Sequence, residues 1–197
     1  MRIRCLAIMI AASLLIAVAG CSTGAGAPSE PDRPSSTQEA SPIPPVKNPR
    51  DVAAVTHRPC ELLTPQQATG FDLDLPPEQM DGLFGTLECE WTSTTHERQL
   101  FRFVHIRMFT NNPTLEVAYN QDRSRPFFEL TEIAGYPALV SRSNADLPIC
   151  DIDVKPAERQ SVSVTYESKE FNNNPQQACV VGKQVAAAVL MNLPLKS

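Results

Sequence analysis

Ser161-Val162-Ser163-Val164-Thr165-Tyr166 alternates hydroxyl-bearing side chains with large apolar or aromatic ones at every step. Successive side chains of a strand point to opposite faces, so Val162, Val164 and Tyr166 share one face and Ser161, Ser163 and Thr165 the other. A strand with one polar face belongs to an antiparallel sheet covered mainly on one side. The same period recurs upstream. Leu87, Cys89 and Trp91 oppose Glu88, Glu90 and Thr92, and in Gln99–Phe109 the Val104, Ile106 and Met108 set alternates with Phe103, His105 and Arg107. Further strands are expected at Phe127–Ile133, Ala138–Ser143 and Cys150–Val154.

Helix signals frame these strands. Thr64-Pro65-Gln66-Gln67-Ala68 places a capping threonine before proline and a glutamine three residues on, the pattern of a capping box. Asn174-Pro175-Gln176-Gln177-Ala178 repeats it almost letter for letter, and Asn112-Pro113 opens a third helix running to about Arg123. The last helix carries Cys179, Gly182, Ala186, Val189 and Leu193 at helical spacing and stops at Pro194. The expected class is α+β: an antiparallel sheet of about five to six strands, covered mainly on one side by two to three helices. The expected order is αββαββββα. The recurring Pro-Gln-Gln-Ala motif hints at pseudo-symmetric halves, although helix and strand exchange order between them.

The N-terminus has another character. Arg2 and Arg4 precede apolar runs from Cys5 to Ala12 and Leu14 to Ala19, too short for a transmembrane span of about 20 residues. Val18-Ala19-Gly20-Cys21 fits a lipobox, in which small side chains precede the cut and the Cys21 thiol takes a diacylglyceryl group. Residues 1–20 therefore read as a lipoprotein signal peptide. Two or more acyl chains hold a protein stably at a membrane. Residues 21–56, rich in Gly, Ser, Ala and Pro, read as the lipidated cysteine and a disordered tether. Fully extended, such a spacer reaches about 100 Å. Residues 57–197 read as one disulfide-bonded domain. The expected location is the outer face of the cytoplasmic membrane, in the cell envelope.

Of the 17 basic residues Arg2 and Arg4 leave with the signal, so 15 stand against 22 acidic ones. That balance argues against nucleic acid and against direct adhesion to anionic headgroups. Arg98, Arg102, Arg107, Arg123 and Arg125 form a local basic stretch, read as a solvated surface of mixed charge. Four cysteines remain for an oxidising compartment: Cys60, Cys89, Cys150 and Cys179. They allow three pairings, and the equal short spacings favour Cys60–Cys89 and Cys150–Cys179. A four-thiolate zinc site and redox catalysis both lack the C-x-x-C motif they need.

Pro59-Cys60-Glu61-Leu62-Leu63-Thr64, Cys89-Glu90-Trp91, Ala134-Gly135-Tyr136-Pro137-Ala138, Cys150-Asp151-Ile152-Asp153-Val154 and the Pro175–Pro194 segment together resemble a family of actinobacterial envelope lipoproteins, domain of unknown function 3558. The resemblance covers the globular part and the lipobox. It departs at Arg58, where such proteins usually carry aspartate. It implies an exported lipoprotein with two disulfides and carries over no catalytic residue.

Candidate chemistry is sparse. His57, His96 and His105 lack metal-ligand spacing, and there is no nucleophile elbow or phosphate loop. No metal or other cofactor is implied. Asp151 and Asp153 share one face of a strand, close enough to share a proton or a cation, or simply to be solvated. Trp91 is a candidate for stacking on a ligand, or for packing on the Cys89 sulfur. The expected function is a non-enzymatic binding module for an envelope protein, lipid or glycan, held to the membrane through Cys21. The alternatives are an envelope hydrolase with dispersed residues and a lipid or glycolipid carrier.

Overall fold

A computed structural model describes residues 41–82, 85–94, 101–111 and 115–196. The signal peptide, Cys21, His96, Arg98 and the Asn112-Pro113 helix start lie outside them. Seven antiparallel strands form one sheet: β1 (Glu78–Asp81), β2 (Leu87–Thr94), β3 (Phe101–Phe109), β4 (Phe127–Ile133), β5 (Tyr136–Arg142), β6 (Ile149–Ala157) and β7 (Gln160–Ser168). Their spatial order is β1-β2-β3-β7-β6-β5-β4. Two meanders, β1 to β3 and β4 to β7, thus meet where their last strands pair, with Ile106 beside Val164.

Three α-helices accompany the sheet: α1 (Pro65–Gly70), α2 (Leu115–Asp122) and α3 (Gln177–Asn192). The seventh strand is β1, whose Glu-Gln-Met-Asp sequence has no apolar alternation. It forms because backbone pairing with β2, Glu78 opposite Glu90 through Asp81 opposite Leu87, needs no apolar face. The fold is therefore α+β with seven strands rather than five to six.

The main core lies on one face. Val104 and Ile106 of β3, Ile152 of β6, Val164 and Tyr166 of β7 and Trp91 of β2 are all buried there. Helix α3 lies over β6 and β7. Its apolar stripe presses down on them through Cys179, Gly182, Ala186 and Val189, all buried. A Cβ on Gly182 would sit 2.6 Å from Ile152 Cδ1 and 3.2 Å from Tyr166 Cβ. Glycine at this position sets how closely helix and sheet approach. On the opposite face α2 makes a smaller core, with Leu115, Ala118 and Tyr119 against Leu139, Phe128 and Ile43.

The helix starts differ despite their similar sequences. Thr64 Oγ1 accepts from the Gln67 N–H at 3.2 Å while the Thr64 N–H donates to Gln67 Oε1 at 2.9 Å, a complete capping box. At α3 the first helical donors use backbone oxygens three residues back, Gln177 to Asn174 and Ala178 to Pro175. Asn174 consequently makes no cap, and the turn itself satisfies the orphan N–H groups.

The folded body also begins earlier than residue 57. Ile43 and Val52 are buried, and Ala53–Val55 forms a 3-10 turn. Proline-rich composition removes ladder donors, and this segment forms no strand beyond an isolated bridge between Arg50 and Leu195. Instead the Arg50 N–H donates to the Pro156 carbonyl at 2.9 Å, Asp51 to Pro194 at 2.8 Å and Val52 to Gln160 Oε1 at 2.9 Å. A few apolar side chains and these hydrogen bonds suffice to fix it.

Replacing Gly182 by valine forces the branched side chain against Ile152 and Tyr166. The expected outcome is a loss of about 1–3 kcal/mol in unfolding free energy, measured by urea denaturation.

Candidate functional site

Two disulfides fix the surroundings of the candidate residues. Cys60, in the 3-10 turn Pro59–Leu62, is joined to Cys89 of β2, and Cys150 of β6 is joined to Cys179 of α3. Each closes a sequence separation of 29 residues, worth about 3.5 kcal/mol of unfolded-state entropy in the chain-closure view. The first holds the turn before α1 against β2. From the other side Asn192 of α3 donates to the Leu62 carbonyl at 3.0 Å and to Gln67 Oε1 at 2.7 Å, tying α1 to the terminal helix.

Between α1 and β2 this arrangement leaves an open groove of about 580 Å³. Leu63, Pro65 and Ala68 form one wall, Leu73, Leu75, Pro76 and Pro77 the other, and Trp91 and Cys60 the base. The second wall follows from the chain reversal after α1. Asp72 takes a positive φ of 56°, a conformation aspartate tolerates, and the Leu75 N–H then reaches the Thr92 carbonyl at 3.2 Å. Glu61, Thr64, Thr69 and Asp74 supply polar atoms along the lining. The surface is mainly apolar with few polar groups, and its volume falls in the range of small-ligand sites, about 300–1,000 Å³. Trp91 itself is 1 % exposed. It acts chiefly as core and meets the groove with only a sliver of its surface.

Asp151 and Asp153 lie elsewhere, on the opposite face of the sheet beside the end of α2. They line a polar cleft of about 220 Å³ together with Arg107, Asp122, Arg125 and Ser163. Asp151 Oδ1 accepts from Thr165 Oγ1 at 2.9 Å, and Asp151 Oδ2 lies 2.9 Å from Arg125 Nη1. The Arg125 Nε donor lies 2.9 Å from Asp122 Oδ1, and the Ser141 hydroxyl donates to Asp122 Oδ2 at 3.0 Å. Arg125 therefore bridges two carboxylates and fastens α2 to β6.

Asp153 has a different setting. Burial pushes its carboxyl up to about 6, the hydrogen bond with Ser163 opposes the shift, and the charge of Asp151 adds to it. Arg107 pulls in the opposite direction while donating from Nη2 to Ser163 Oγ at 3.2 Å. Two neighbouring carboxyl groups in unlike surroundings are what acid–base chemistry requires. The cleft volume nevertheless falls below the range of ordinary ligand sites.

The remaining sequence candidates are scattered. Arg102 lies 2.6 Å from Glu170 and 3.3 Å from Asp72, so Arg102, Arg107 and Arg125 of the basic stretch each engage separate partners. His57 is exposed. His105 Nε2 lies 2.7 Å from Glu88 Oε2, a contact between β3 and β2. Among the described residues no cluster of three or more His, Cys, Asp or Glu could hold a metal ion. Sequence reasoning missed Arg125 as the partner of Asp151 and Asp122 as the second carboxylate on that arginine, although the i,i+3 spacing of Asp122 and Arg125 at the end of α2 was visible. It also missed the groove walls, because Leu63 and Leu75 belong to no periodic pattern.

The family model described as protein of unknown function (DUF3558) matches residues 16–192, and the chain belongs to that family. No curated protein and no solved structure matches it.

Asp153 also makes stability depend on pH. Its folded value of about 6 stands above the ordinary 3.8, so the folded state takes up this proton first as pH falls. The contribution is full below the ordinary value and is lost as pH rises through 6, a span of about 2–3 kcal/mol. Asp153→Asn should therefore raise stability at pH 7 and flatten the wild-type gain between pH 7 and pH 4, read by denaturant titration across that range.

Proposed function

We propose that this chain is an exported, lipid-anchored module of the cell envelope that binds an apolar ligand in the groove between α1 and β2. The observation that carries this reading is the groove itself: about 580 Å³, largely apolar, and lined in part by Cys60, which a disulfide ties to Cys89 of β2. The Val18-Ala19-Gly20-Cys21 lipobox supports anchorage, and paired rather than free cysteines suit an oxidising compartment. The described fold starts at Ser41, so any spacer after Cys21 is confined to Ser22–Ala40.

Binding without catalysis is favoured over hydrolysis because the groove gathers few polar groups while the carboxyl pair occupies a smaller, separate cleft. A hydrolase would place its chemistry at Asp151 and Asp153. A lipid or glycolipid carrier would place an acyl chain in the groove.

Cys21→Ala should release the protein from membranes into the medium, and retention in the membrane fraction would sink the anchor. Trp91 is the chain's one tryptophan and touches the groove lining at its edge, so a ligand seated there should alter its emission. Titration with palmitate below its micelle concentration should give a saturable emission change. Leu75→Asp, at a half-exposed wall position, should weaken that response at least tenfold. A flat titration with palmitate would exclude the acyl-carrier version.

A further inference from the structure

The two edges of the sheet are built differently. At one end β1 is four residues long, follows Pro76-Pro77, and exposes Glu78, Gln79 and Asp81. Short length, nearby proline and charge are the usual ways a sheet edge is blunted. At the other end β4 runs seven residues, Phe127–Ile133; Pro126 precedes it and Glu129 and Glu132 lie within it, but it is nearly twice as long as β1, has no bulge and pairs only with β5. Among the described residues no backbone group pairs with its outer side.

The turn determines which groups that side presents. Ala134 and Gly135, with φ of 51° and 85°, make a two-residue hairpin loop between Ile133 and Tyr136. The closing pair of such a hairpin exchanges hydrogen bonds, and alternate residues follow it. Ile133, Thr131, Glu129 and Phe127 therefore direct their backbone groups at β5, while Phe128, Leu130 and Glu132 turn theirs outward. Leu130 is 37 % exposed.

We propose that β4 is a self-pairing edge, and that two copies of this chain join through it into one continuous antiparallel sheet centred on Leu130. In that register Leu130 faces Leu130 of the second copy and Phe128 faces Glu132, and both pairs exchange backbone hydrogen bonds. Between them Glu129 faces Thr131, and Phe127 faces Ile133. No like charges oppose, and Glu129 already lies 2.7 Å from Lys183 of its own α3. Sliding the pairing by two residues in one direction sets Glu129 against Glu129, and sliding it by four in the other sets Glu132 against Glu132. Like charges directly opposite one another destabilise a sheet. The two-fold axis stands perpendicular to the sheet, so both copies of α3 lie on one face and both copies of α2 on the other.

A single cysteine tests both the association and its register. Opposite residues in a hydrogen-bonded antiparallel pair are about 5.5 Å apart at Cα, within disulfide reach. Residue 132 would lie about 13 Å from its own counterpart, beyond that reach. The purified full chain carrying Leu130→Cys should oxidise mostly to a covalent dimer on a non-reducing gel. Glu132→Cys should remain at the wild-type background. Both positions are exposed, so both variants should keep the wild-type thermal transition. Equal crosslinking of the two variants, crosslinking of Glu132→Cys alone, or none from either overturns the proposal. Leu130→Lys gives a second readout: it should shift the wild-type dimer to monomer in sedimentation velocity, and a wild-type monomer at 100 µM, on the order of weak transient affinities, would also overturn it.

Discussion

The separation between α3 and the sheet is set at Gly182, where the absence of a side chain lets the helix backbone settle onto Ile152 and Tyr166. The Cys150–Cys179 disulfide locks the N-terminal end of the same helix to β6. At its other end Asn192 reaches back to Leu62 and Gln67, so α1 takes its place from α3 as well as from its own capping box. The groove is thus a consequence of helix–sheet packing two elements away. Its walls are only as well placed as the contact at Gly182 permits, because interiors packed at crystalline density transmit displacement.

The two faces of the sheet carry different physics. The α3 face is mainly an apolar core, with Lys183 of α3 paired to Glu129 at the β4 margin and a few buried polar side chains such as Arg142 at strand ends. The α2 face is held by a small apolar patch around Leu139 together with ion pairs, Arg125 at one end of α2 and Lys155 with Glu116 near the other. Lys155 also lies 2.9 Å from Glu158, so it serves two carboxylates as Arg125 does. Buried charges are costly unless paired and hydrogen-bonded. This explains why almost every carboxylate around α2 has a cationic or hydroxyl partner, and why Asp153, the one with least compensation, carries the raised pKa.

Much of this architecture was legible in the chain because it rests on periodicity. The helical stripe from Cys179 to Leu193 states which face is inward, and its residues are buried. The alternation in Ser161–Tyr166 marks only the face of the main core, because Ser161 and Ser163 on the other face of this central strand are buried too. What escaped was structure without a pattern. Strand β1 is polar at three of four positions and exists by backbone pairing alone. The Ser41–Thr56 segment looks like linker because proline dominates it, yet Ile43 and Val52 bury individually. Asn174-Pro175 copies the letters of Thr64-Pro65 without its cap, since local carbonyls already satisfy the helix start. The candidate site was least legible of all. Trp91 could be picked out by type, but the walls around it come from a turn, a short helix and a loop that meet only in three dimensions.

The chain ends of the folded body have a mechanical meaning. Asp51 donates to Pro194, Lys196 donates to Pro49, and Arg50 pairs with Leu195 in an isolated bridge, so the entering and leaving segments are clasped together. Arg50 also donates through its side chain to the Leu193 carbonyl at 2.5 Å and to the Tyr136 hydroxyl at 3.0 Å. Any pull arriving along the N-terminal segment is therefore shared at once with the end of α3 and the start of β5, rather than peeling the first residues away. For the same reason a label or fused domain attached at the C-terminus would ride beside the root of the N-terminal segment.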